Sequence, residues 1–151
     1  MKNISSIFIV QLPMMETTKK IETKTANIWI DHEGFLHLKL KEGAEIDLEE
    51  VEIHFDIYRK LGCQKHKALH LFEGGTFFTF DSKAMKYVTR HGHDYFIASA
   101  VVNNSIAIRL LFNFFNKFFN NSTDKAFQFK MFNTRGQALE WLRSFKEEKK
   151  P

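Results

Sequence analysis

Seven residues, Phe96 to Val102, read FIASAVV, and Ser99 is the only polar side chain among them. A run this short and this apolar is a strand covered on both faces, the pattern of parallel sheets enclosed by helices. Such a strand needs partners on its edges and amphipathic elements on its faces, and the rest of the chain supplies both. KALHLF ahead of it and FQFKMFN after it are further β-rich runs. TANIWIDHEGFLHLKLKEG reads as a hairpin, with Ala26, Ile28 and Ile30 alternating with Asn27 and Trp29, then Phe35, Leu36, Leu38 and Leu40 beyond a short glycine-containing turn.

Helical patterns separate these strands. In IDLEEVEIHFDIYRKLG, Asp47 and Glu50 have the spacing of a reciprocal capping box. Leu48, Val51, Phe55, Tyr58 and Leu61 form the apolar stripe, and Gly62 is the stop. DSKAMKYVTRHG opens on Asp81 and Ser82 and closes on Gly92. TRGQALEWLRSFKEEKK starts at a Thr134–Gln137 box and buries Ala138, Leu139, Trp141, Leu142 and Phe145. The expected strands are 26–31, 35–40, 67–72, 95–102 and 128–132; the expected helices are 48–61, 82–91, 104–119 and 135–146. Strict alternation after the hairpin predicts an α/β fold: a single mixed, mostly parallel five-stranded sheet with an N-terminal antiparallel hairpin and four helices. It forms one domain over 25–147, with residues 1–24 a poorly ordered tail and 148–151 a C-terminal one.

Composition narrows the function. The net charge of +4 reflects 22 basic and 18 acidic residues, interspersed with no basic stripe or nucleic-acid-reading module, so no nucleic-acid partner is expected. One cysteine, Cys63, excludes an internal disulfide. The apolar run near the start spans only Ile7 to Val10, too short for a secretory leader, and no stretch of 18 apolar residues offers a membrane span. The cytoplasm is the expected location, without integral membrane association.

Candidate chemistry concentrates in TFFTFDSKAMKYVTRHGHDYF. His91, His93 and Asp94 offer metal-ligand types, but a spacing of two does not share a helix face, and no third imidazole lies nearby in sequence. His91 is read as a last-turn residue interacting with the helix dipole. Glu73-Gly74-Gly75-Thr76 lacks the three-glycine strand–turn–helix context of a dinucleotide fingerprint and is read as a turn. No base can be assigned to Cys63. No catalytic, cofactor-binding or metal residue is therefore designated, and no cofactor is expected.

The closing pattern carries a resemblance. FIASAVV, an amphipathic helix and then FKMFNTRGQALEWL, with Phe132 on the strand and Ala138, Trp141 and Leu142 on the helix, resemble the STAS fold of bacterial anti-sigma-factor antagonists. The likeness is to the SpoIIAA-like branch, which also resembles lipid-binding Sec14-type domains, and it runs from about Thr25 to Lys146. It implies protein interaction or signalling. In that family a phosphorylated serine follows an aspartate at a helix start, roughly where Asp81 and Ser82 stand, but Asp81-Ser82-Lys83-Ala84 departs from the family's Asp-Ser-Ser-Gly. Capping is the reading the residues support.

Of the seventeen phenylalanines, the most telling lie in NNSIAIRLLFNFFNKFFNN. Ser105, Arg109, Asn113, Asn116 and Asn120 form one narrow polar stripe, leaving roughly 240° apolar where packing on a sheet needs little more than about 100°. The surplus around Phe112, Phe115 and Phe119 is covered by the chain itself, by a second copy or by an apolar ligand. The expected function is a non-enzymatic protein-interaction or regulatory module that self-associates as a homodimer or binds another protein. The alternative is a lipid or small apolar ligand-binding domain.

Overall fold

The structure, a computed structural model, describes residues 17–75, 77–103, 105, 106, 108–110, 113 and 128–148. Among the described residues, eight strands and three α-helices follow in the order β1 (Ile21–Glu22), β2 (Ala26–Ile30), β3 (Leu36–Leu40), β4 (Ala44–Ile46), α1 (Leu48–Lys60), β5 (Ala68–Glu73), β6 (Phe78–Phe80), α2 (Ser82–His91), β7 (Phe96–Val102), β8 (Gln128–Phe132) and α3 (Arg135–Glu148). Residues 106, 108–110 and 113 are also helical, in the connection from β7 to β8. Phe112, Phe115 and Phe119 lie outside the described residues.

The expected α/β class and mixed sheet are present, but the single five-stranded sheet needs correction. The main sheet has six strands, ordered β1-β2-β3-β5-β7-β8, and β4 and β6 form a separate two-stranded ribbon. The hairpin is antiparallel and β3, β5, β7 and β8 run parallel. The sixth strand comes from the segment read as a tail. Ile21 and Glu22 pair with Ile28 and Asn27, and the Thr18 amide donates to the Ile30 carbonyl (2.8 Å), so the ordered sheet starts before Thr25. The ribbon pairs Ala44–Ile46 with Phe78–Phe80 in parallel; three residues are too few to show a period.

Strand order fixes the layers. Successive parallel strands step one way across the sheet, and right-handed crossovers then place their connections on one face. Val51, Phe55 and Tyr58 of α1, Ala84 of α2 and Ile108 share one core with Leu36, Leu38, Leu40, Phe72 and Phe96. Helix α3 follows the last strand and takes the opposite face, where Ala138, Leu142 and Phe145 meet Phe35, Leu69, Leu71, Ala98 and Ala100. A bidentate pair from Arg143 to Glu33 (2.8 and 2.9 Å) fastens α3 to the hairpin turn.

The caps explain where the helices begin. Asp47 accepts from the Glu50 amide (2.9 Å) and Asp81 from the Lys83 amide (2.8 Å), while the Thr134 hydroxyl accepts from the Gln137 amide (3.2 Å). Between Asp81 and Ser82, the cap is Asp81. The first box closes on one side only: the Glu50 carboxylate accepts from the Thr25 hydroxyl (2.6 Å) inside the core. Gly62, at φ +86°, supplies the left-handed stop after α1.

Candidate functional site

A crevice lies between the sheet and helices α1 and α2. Its floor carries Leu38, Leu40, Phe72, Phe96 and Val101, and α1 adds Val51, His54, Phe55 and Tyr58. Phe80, Val88 and Phe129, all half-buried, also line it and mark the side nearest solvent. The lining is apolar except for His54, His70, Ser99 and the Tyr58 hydroxyl. The cavity has a volume of about 50 Å³, several times the roughly 10–15 Å³ that one water needs.

His70 on β5 and Ser99 on β7 face each other in register across neighbouring parallel strands. His70 Nδ1 and Ser99 Oγ are 2.8 Å apart and both side chains are buried. The imidazole stacks on Phe96 at 4.3 Å with the rings 5° from parallel, and Tyr58 packs against it edge-on at 5.7 Å. Its other nitrogen, Nε2, is fully buried with no hydrogen-bond partner among the described residues. Burial, helped by His37 and His54, pushes the His70 pKa down to about 3, so the ring is neutral. His54 lies 2.9 Å from the Thr25 hydroxyl, and burial lowers it to about 4.

A serine hydroxyl within reach of an imidazole is the spacing of nucleophile and base. The surroundings do not fit that use. A base whose conjugate acid has a pKa near 3 holds a proton far too weakly for transfer at neutral pH. Among the described residues, no carboxylate orients the far nitrogen. The pair is suited to a hydrogen bond within an apolar pocket.

The residues singled out in sequence lie elsewhere. Asp81 and Ser82 are exposed at the start of α2. His91 packs on the Tyr87 ring (4.4 Å), whereas His93 sits 3.3 Å from Asp94 in the 3₁₀ turn after α2. Among the described residues, no group of three or more His, Cys, Asp and Glu side chains is placed to hold a metal. A Cβ on Gly74 would come within 2.5 Å of the Phe78 ring, and one on Gly75 within 3.0 Å of the Glu42 carboxylate. Those glycines therefore accommodate close packing. Cys63 is buried, and burial raises its thiol to about 11, far from a reactive thiolate.

A second feature sits at the carboxyl ends of β5 and β7. The Asn103 side-chain amide donates to the Gly75 carbonyl (3.2 Å), tying the two loops together. Beyond them Phe77, Ile106 and Leu110 are exposed at 66%, 77% and 65%. Ile106 and Leu110 are one helical turn apart, while Ile108 enters the core. Among the described residues, no helix is long and apolar enough to cross a membrane.

This arrangement of sheet and helices defines the SpoIIAA-like class of α/β folds. A crystal structure of an uncharacterized protein from the DUF3478 family with a SpoIIAA-like fold, from Shewanella loihica PV-4, matches it with a TM-score of 0.51. The match covers 83% of this chain and 93% of that one at 16% sequence identity, a likeness of fold alone. Residues 28–146 match the model of DUF7793, a domain of unknown function, and the chain belongs to that family. No curated protein matches it.

Proposed function

We propose that this protein is a non-enzymatic interaction module of the cytoplasm that self-associates through the surface bearing Phe77, Ile106 and Leu110. The observation that carries this reading is the exposure of Ile106 and Leu110 side by side on one helix face. The sequence had set Ser105, Arg109 and Asn113 as the solvent stripe of that helix. Asn113 is exposed and Ser105 and Arg109 are half-buried, and Ile106 and Leu110 stand out in water beside them. Burying one such side chain is worth roughly 1.5–3 kcal/mol. A two-fold pairing buries each contributing residue twice, which brings the gain into the range of the estimated association cost of about 4–15 kcal/mol. That doubling favours a second copy as the occupant. The weak basicity of His70 and the inert Cys63 support the non-enzymatic part.

Sedimentation equilibrium at low micromolar concentration tests the proposal. The expected result is a dimer that becomes a monomer in the double variant Ile106→Glu, Leu110→Glu. Because both sites are exposed, the variant should keep its unfolding free energy within about 0.5 kcal/mol. A wild-type monomer of 17.8 kDa, or a dimer indifferent to both changes, overturns self-association through this surface.

A further inference from the structure

We propose that the crevice between the sheet and α1/α2 binds a small neutral molecule, an apolar body carrying one hydroxyl, with that hydroxyl paired to His70 Nε2. Three independent features converge. The lining is almost entirely hydrocarbon and aromatic, with polar groups only at His54, His70, Ser99 and the Tyr58 hydroxyl. Ser99 occupies His70 Nδ1 at 2.8 Å and so fixes how the imidazole is presented. His70 Nε2, on a ring held between Phe96 and Tyr58, is fully buried without a partner among the described residues, so a ligand reaches it as the crevice widens.

A buried polar atom without a partner is costly, and a ligand that satisfies it recovers that cost. The two possible directions of the Ser99 hydrogen bond make Nε2 either a donor or a bare acceptor. A hydroxyl serves both, since it donates and accepts. An ammonium or carboxylate would enter an uncharged, apolar site without a counter-ion, at heavy desolvation cost. The half-buried Phe80, Val88 and Phe129 give the crevice its way in. The room of about 50 Å³ is well below the roughly 300–1,000 Å³ of pockets for drug-sized ligands, which disfavours a lipid and points to a single small ring or less.

Phenol and toluene are the matched probes, alike in shape and differing in the hydroxyl. Titrated into the full chain by calorimetry, phenol is expected to bind at one site per chain, at least about tenfold more tightly than toluene. His70→Phe keeps a planar ring and removes Nε2, so phenol and toluene should then bind alike. Imidazole ¹⁵N spectra of the wild-type protein provide a readout independent of that variant's folding: phenol should shift the His70 Nε2 resonance saturably. Absence of saturable binding by phenol, equal affinity for both probes in the wild type, or an unmoved Nε2 resonance overturns the proposal.

Discussion

The two faces of the sheet are built differently. Against α3 the core is Phe35, Leu69, Leu71, Ala98, Ala100, Ala138, Leu142 and Phe145, with no polar side chain among them. Small alanines on β7 and on the helix allow close approach; His37, in register with Leu71, is buried on this side too, with Nε2 on Asp31. Against α1 and α2 the same strands present His70, Ser99, Phe96 and Val101, and α1 adds Glu50 and His54. Aromatic rings meet there largely edge to face, as Phe55 does with Tyr58, Tyr87 and Tyr95. Bulky rings fill space less evenly than methyl groups, and the crevice lies on their side. One face is a closely packed scaffold, and the other combines stability with room.

The largest effect expected from this contrast is on acidification. His54 and His70 have folded pKa values near 4 and 3, below an unfolded value near 6.5. The unfolded chain therefore takes up protons first. Stability is full above about pH 6.5 and falls as pH drops toward the folded values, by on the order of 1.4 kcal/mol per unit for each histidine. The carboxyl of Asp31 is pushed up by burial, but hydrogen bonds from His37 and from the Phe35 and Glu33 amides outweigh this and hold it low. Its contribution is lost only in stronger acid. Urea unfolding from pH 7 to pH 5 should show the steep loss, and His54→Gln should remove about half of the slope. A stability that is flat over this interval would leave the two faces alike.

Packing should respond next. Ala100→Val adds two methyl groups to the α3 face and is expected to cost about 1–3 kcal/mol by overpacking. Val101→Ile, on the neighbouring residue but facing the crevice, adds one methylene where there is room and should change stability by less than about 0.5 kcal/mol. Guanidinium unfolding of both variants compares the faces directly; equal losses would mean that the crevice gives no slack. The smallest effect concerns the wall that α2 contributes. Asp81→Ala should cost about 1 kcal/mol through loss of the cap, whereas Ser82→Ala should be close to neutral in the same thermal melts.

The contrast between faces was only partly visible in the sequence. Each of the five long strands and three of the four expected helices is found close to its predicted span, because alternation, Asp47, Asp81, Thr134 and Gly62 are local signals. The α3 face was equally legible, since Ala138, Leu142 and Phe145 repeat at helical spacing. The crevice was not. His70 and Ser99 lie 29 positions apart, and only the β5–β7 register brings them together. Glu50 looked like half of a capping box, yet its side chain finds Thr25, a tertiary partner that no spacing rule supplies. Strands β4 and β6 were too short to declare a period, so between β5 and Asp81 only the Glu73-Gly74-Gly75-Thr76 turn was legible.

That short ribbon has a mechanical consequence. Strand β4 runs directly into α1 and β6 directly into α2, and the Asp81 amide donates to the Ile46 carbonyl (2.8 Å) where the two lead-ins meet. Phe55 and Tyr87 then interlock farther along the helices. The pair is thus yoked at its root, like two slats on one crossbar, and a displacement of either helix is transmitted to the other. Widening the crevice would swing both together, with the ribbon as the pivot and the α3 face standing still.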